Sequence, residues 1–274
     1  MRGALIGMAC MVLLAGCETV QTTQHTAVGL EQRKQHMLVS EQDVDQSSAQ
    51  AYQQVLGQAQ KQGALDRDAA ALQRVKAIVG RLIPATGALR PDAPKWPWEV
   101  HVLSSSEVNA WCMAGGKVAV YTGLLDKIKP TDDELAAVLG HEMGHALREH
   151  VREQVSRQEA EQVAVGVAGA VLGLPDIAQQ LAPAILDVTF NLPHSRQQEK
   201  EADDIGVELA ARAGYDPRAA VTLWQKMQKL AGSEPPKFLA THPATADRVK
   251  DVQAVAEKVM PLYQAAKGSP SVGK

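Results

Sequence analysis

Two histidines four residues apart, His141 and His145, with a glutamate directly after the first, constrain this chain more than any other feature. On a helix, residues at i and i+4 project from one face a turn apart, so both imidazoles can reach a single ion. Glu142 lies on the same side of that turn and can address a water beside the ion, which is the chemistry of the H-E-x-x-H pattern. Neutral imidazole together with a carboxylate suits zinc, which needs no redox partner. The flanking residues predict the helix this geometry requires. Thr131 and Glu134 are spaced as a capping box, Asp132 and Asp133 sit at the positive end, and Leu135, Val138, Leu139 and Ala146 would bury one face. The helix is predicted to open at Pro130-Thr131 and to continue past Arg148.

A third ligand has to come from elsewhere. In the metzincin spacing a third histidine stands six positions beyond the second, after a helix-breaking glycine; here those places hold Val151 and Arg148. His150 is one residue out of register and reads as a surface or partly buried histidine. The best carboxylate source is the stretch 195–213, where Ala202, Ile205, Gly206, Leu209, Ala210 and Ala213 make a buried helix face. Glu199 lies near that face and can bind the ion. Asp203, one turn on, can accept a hydrogen bond from a ligating imidazole and so fix its tautomer. Glu201 reads as turned to solvent.

The rest of the chain predicts a mainly α fold with a small sheet. Aromatics are only 4% of the 274 residues, and alanine is abundant, which favours helices over strands. Helical periodicity marks 48–62, 66–83, 216–230 and 244–260. An alanine- and valine-rich stretch, 162–192, reads as a buried helical hairpin or, alternatively, a lid over the site, and is too short in apolar run to span a bilayer. Strand signals fall at 99–103, 108–113 and 117–121. Trp96 and Trp98 are expected to pack on the domain. The net charge of -3 gives no basic field for nucleic acid. Three cysteines make no disulfide framework, and Cys112 reads as a small buried hydrophobe.

The N-terminus reads as an address. Arg2 precedes a short apolar run, 4–14, and Leu14-Ala15-Gly16-Cys17 resembles the lipobox of bacterial lipoproteins. That predicts a signal peptide at 1–16, acylation of Cys17, and a flexible lipidated tether over 17–48. Glu18 in place of Asp points to outer-membrane retention, facing the periplasm. The folded domain is expected over 49–265, with a loose tail at 266–274.

With these residues in place, the chain resembles the CAAX-prenyl-protease-type zinc endopeptidases, a gluzincin family, over about residues 50–260. The landmarks are Asn109 with Gly115-Gly116, Thr122-Gly123-Leu124-Leu125, His141 to His145, Ser195-Arg196 with Glu199 and Asp203, and Thr241-His242-Pro243 with Arg248. The lipobox points to the periplasmic lipoprotein branch. The resemblance implies a helical metallopeptidase core holding one Zn2+ per chain on His141, His145 and Glu199, with Glu142 as catalytic base. It implies that Lys117, Val118, Ala119, Val120 and Tyr121 form a sheet edge to which an extended substrate adds. It places His242 on a loop over the cleft as a catalytic or gating residue, and Asp203 and Arg248 behind the ligands. The implied partners are unfolded or misfolded envelope proteins and, alternatively, outer-membrane assembly machinery served by a tethered chaperone.

Overall fold

The computed structural model describes residues 18–24, 26–29, 33–169, 177–230, 236–243 and 247–268, of which the side chains at 162–169 and 177–180 are not described. The expected signal segment with Cys17, the turn of the expected hairpin at 170–176, and the tail after 268 lie outside the described residues.

Three short stretches of β-branched and aromatic residues build one sheet: β3 (Glu99–Leu103), β4 (Ala110–Met113) and β5 (Lys117–Tyr121). The strand order is β3-β5-β4. β5 pairs in parallel with β3, Glu99 opposite Lys117, and antiparallel with β4, Met113 opposite Lys117. The stretch 117–121, expected at the edge, is therefore the central strand, and the edges fall to β3 and β4. The physical reason is burial: Lys117 to Val120 are buried on both faces, and such a strand gains most between two partners. Side chains alternate across the sheet. Val118, Val120, Ala110 and Cys112 enter one apolar cluster, while Ala119, Trp111, Met113 and Leu103 enter a second.

Helices cover both faces. α1 (Glu41–Lys61) is capped by Ser40, whose hydroxyl accepts from Asp43 N, and starts seven residues before the predicted start at 48. α2 (Ala69–Thr86) starts at Asp68 and buries Val75, Ile78, Val79 and Leu82. After β5 come α3 (Thr122–Ile128) and α4 (Asp132–Leu147). The capping box of α4 is present: Thr131 N donates to Glu134 Oε2 at 2.8 Å and Glu134 N donates to Thr131 Oγ1 at 3.2 Å. α4 does not run past Arg148 as predicted. It stops at Leu147, Glu149 turns left-handed at φ 53, and α5 (His150–Gly169) leaves in a new direction. Ion pairs hold that turn. Glu149 accepts from Arg90 at 2.5 Å and from Arg152 at 2.7 Å, and the buried Arg148 reaches Glu201 at 3.1 Å.

α6 (Ile177–Phe190) packs on α1 and α5, so the described part of 162–192 is a helical pair in contact with the domain. α7 (Arg196–Arg212) opens with a second capping box, Ser195 with Gln198, and gives way to Gly214 at φ 77. α8 (Ala219–Leu230), the short α9 (Lys237–Thr241) and α10 (Arg248–Gly268) complete the chain. α10 carries regular structure to Gly268, into the stretch expected as a loose tail. No described helix is long and apolar enough to cross a membrane.

The described part of the expected flexible tether is also folded. β1 (Glu18–Val20) pairs antiparallel with β2 (Gln35–Met37), and Gln35 and Met37 are buried. Arg33 bridges Glu153 of α5 and Glu201 of α7, the latter at 2.9 Å. Composition could not reveal this, because polar residues of the strap are satisfied by charges buried on distant helices.

What positions the site is the crossing of α4 and α7, the most extensive helix–helix contact among the described elements. A Cβ added at Gly206 would sit 2.5 Å from His141 N, and one at Gly144 would sit 2.9 Å from Ala202 O. Glycine at these points lets the two backbones touch, which brings carboxylates on α7 within side-chain reach of histidines on α4.

Candidate metal centre

At that crossing, His141 Nε2 and His145 Nε2 lie 3.1 Å apart. Glu199 reaches down from α7, with Oε2 3.7 Å from His141 Nε2 and Oε1 3.4 Å from His145 Nε2. His242, just after α9, completes a group of four whose donor atoms lie within 4.8 Å of one another. All four side chains are buried. The three residues read from sequence as ligands thus converge, and His242 joins them as a fourth donor.

Hydrogen bonds fix which ring nitrogens face inward. His141 Nδ1 lies 2.9 Å from Asp203 Oδ1, so it donates there and leaves the Nε2 lone pair inside the site. His242 Nδ1 lies 3.1 Å from the carbonyl oxygen of Phe238, which directs its Nε2 inward as well, and the ring stacks on Phe238 at 4.5 Å. Glu142 Oε1, Glu199 Oε1 and His242 Nε2 are buried with no hydrogen-bond partner. A buried acceptor left unpaired costs about 1–3 kcal/mol. Two of these atoms, Glu199 Oε1 and His242 Nε2, converge with the ring nitrogens of His141 and His145, and such a set fits one divalent cation.

The electrostatics agree. Burial, then the charge of His141, holds His145 well below the ordinary histidine range. Burial likewise lowers His242, outweighing the Glu199 carboxylate. Both rings are therefore neutral and free to bind a cation. Burial opposes ionisation of Asp203, but Arg248 and the hydrogen bond from His141 overcome it and bring its carboxyl down to about 2. Glu199 is also lowered against its burial, by His242 and His141 and then Arg248. Glu142 goes the other way. Burial, then the Glu199 carboxylate, pushes it well above the usual carboxylate range, which suits a group that must take and return a proton.

Arg248 braces the ligand helix from behind. Its guanidinium donates to Glu199 at 2.6 Å and to Asp203 at 2.7 and 2.9 Å, and lies 3.5 Å over the ring of Trp224. Cys112 is a buried free thiol beneath the sheet, as expected, and Trp96 and Trp98 pack against the domain. Cys17 lies outside the described residues.

Two sequence readings fail here. His150, taken for a surface or partly buried residue, is wholly buried with Nδ1 2.8 Å from His145 Nδ1. Glu201, sent to solvent, is 3% exposed and meets His150 Nε2 at 3.0 Å. α7 is buried on nearly every side, so a one-face reading misplaced it. His194 also joins the site, and no motif marks it. Its ring centroid lies 4.1 Å from that of His145, its Nδ1 accepts from Gln154 Nε2 at 2.7 Å, and it lines a cavity of about 270 Å³ with Glu199, Asp203 and Arg248. Its place before the Ser195 cap was the available signal, since a helix start next to a ligand brings its neighbours to the site.

A small sheet, a helix bearing H-E-x-x-H, and a carboxylate from a second helix define a metallopeptidase of the gluzincin kind. The chain belongs to peptidase family M48, which matches residues 69–256. It is 30% identical to the metalloprotease LoiP of Escherichia coli over 253 residues, 92% of this chain and 95% of LoiP. It is 40% identical to the mitochondrial metalloendopeptidase OMA1 of Arabidopsis thaliana over 169 residues, 61% of this chain and 34% of that protein. The metalloprotease YcaL of Escherichia coli is 28% identical over 177 residues, 63% of this chain and 68% of YcaL. The chain spans about a third to a half of the length of the OMA1 proteins it matches.

Proposed function

We propose that this chain is a zinc-dependent endopeptidase that cleaves unfolded or misfolded envelope proteins while tethered to the outer membrane through an acylated Cys17. The observation that carries the enzymatic part is the buried convergence of the donor atoms of His141, His145 and Glu199 beside Glu142. Zinc held there would supply Lewis acidity for a scissile carbonyl. Glu142, with its raised carboxyl, takes the proton of the attacking water and passes it to the leaving amine. Asp203 and Arg248 keep His141 and Glu199 in place while that happens. The lipobox supports the membrane-tethered, periplasmic assignment.

Substrate would add to β4 rather than β5. Tyr121 N donates to Asn109 O, so by alternation Trp111 and Met113 bond to β5 and the backbone of Ala110 and Cys112 points away from it. There Ala110 N donates to Asn109 Oδ1 at 3.0 Å, a bond whose place a substrate strand would have to take. β4 packs against α4, the helix that carries Glu142. An extended, unfolded segment can pair there, whereas a compact protein cannot. The test is cleavage of a casein-type unfolded chain with metal content measured in parallel. Glu142→Gln should keep its zinc and lose cleavage; equal cleavage by the two proteins would defeat the reading.

His242 favours a second aspect, a latent site. Its Nε2 stands among the ligand donors, 3.6 Å from Glu142 Oε1, where a substrate carbonyl or water would have to enter. His242→Ala is expected to raise cleavage of the denatured substrate if the residue shuts the site, and to lower it if the residue serves the reaction.

A further inference from the structure

We propose that His150, held by Glu201, is a positioning residue for the metal ligand His145, an inference that rests on the metal-site reading above. The two ligating histidines are tied differently on their outer sides. His141 Nδ1 meets a carboxylate directly, Asp203 Oδ1 at 2.9 Å. His145 Nδ1 meets another imidazole, His150 Nδ1 at 2.8 Å, and only beyond that ring comes a carboxylate, Glu201 Oε2 at 3.0 Å from His150 Nε2.

The directions of these bonds follow from the far end. Glu201 takes Arg33 Nε at 2.9 Å and Arg148 Nε at 3.1 Å, so with two guanidinium groups on it the carboxylate accepts only. His150 Nε2 must therefore carry the hydrogen. That leaves the His150 Nδ1 lone pair facing His145, and His145 Nδ1 donates to it. His145 Nε2 is then unprotonated and turned to His141 and Glu199, the state a metal ligand needs. The reverse order, with His150 donating, would put a hydrogen on His145 Nε2 and close the site to a cation.

This relay also explains the break after α4. In an unbroken helix a residue five positions on points about 140° away from the first. His150 is five positions past His145 and could not touch it. The left-handed Glu149 swings the chain round and returns His150 to the outer nitrogen of His145. The turn, the buried arginines and Glu201 form one support for one ligand.

The experiment uses the full chain. In metal-free protein labelled with 15N in histidine, ring NMR should find His145 protonated at Nδ1 and bare at Nε2; the opposite tautomer overturns the proposal. Zinc affinity is then measured by competition with a chromogenic chelator. His150→Leu, which removes the acceptor, should weaken zinc binding about 10- to 100-fold, whereas His150→Asn, whose amide oxygen can stand in for Nδ1, should stay within about threefold. Thermal melts in chelator report whether each variant folds. Wild-type affinity in His150→Leu, or equal loss in both variants, overturns the proposal, and if His150→Leu does not fold, the wild-type tautomer decides. A wild type that takes up no zinc would defeat the metal reading while the tautomer still tests the relay.

Discussion

At the scale of single residues, the site separates holding a metal from using it. Glu199 is a donor in the group and Glu142 is not, though both are buried carboxyls. Glu199→Gln is therefore expected to lower zinc affinity by at least tenfold, because a neutral amide is a poorer donor than the carboxylate that Arg248 braces. Glu142→Gln is expected to leave zinc content near wild type and to lower kcat by roughly 10²–10⁴. Metal analysis beside turnover on one unfolded substrate distinguishes the two. Losing metal and rate together in Glu142→Gln would mean that Glu142 is a ligand.

At the scale of elements, two contacts hold the site together, one between helices and one from the N-terminal strap. The α4–α7 crossing is set by bare backbone. Gly206→Ala would place a methyl 2.5 Å from His141 N and 2.8 Å from the carbonyl carbon of Gly140, and backbone cannot rotate away. Overpacking of this kind costs about 1–3 kcal/mol. The expected result is a lower melting temperature together with weaker zinc binding, since the separation carries Glu199 off the histidines. A variant that melts early but binds zinc normally would show that the crossing does not set the ligand distance.

The strap depends on charge. Burial opposes ionisation of Glu153, yet the hydrogen bonds from Arg33 and Gln35 bring its carboxyl from 4.5 to about 2. A carboxyl lowered by folding stabilises the fold above its unfolded pKa and loses that contribution as pH falls through its folded one. Melting temperature should drop between about pH 4.5 and pH 2, and the drop should be shallower by roughly 3 °C in Glu153→Gln. Parallel curves for the two proteins would remove Glu153 from the account.

At the scale of the whole molecule, the metal centre is where helices from the middle and end of the chain meet, so occupancy should be felt globally. A ligand that binds only the folded state adds about 2.7 kcal/mol at a hundredfold excess over its dissociation constant. Chelation should therefore abolish cleavage and lower the melting temperature, with zinc restoring both. A melting temperature indifferent to chelator would mean that the four-residue group binds no ion in solution.

Local chemistry determined the ligand helix, its capping box and the positions of Glu199 and Asp203, because helix periodicity fixes which residues share a face whatever surrounds them. It likewise determined the mainly helical class and the three strands. Sequence periodicity could not assign strand order, since β5 becomes central only when β3 and β4 both find it. Nor could it place His150, Glu201 or the strap. Those polar residues are buried because Arg33, Arg148 and His150, up to 168 positions away, supply their partners. A buried charge is stable only when paired, and pairing across such separations is decided by tertiary structure alone.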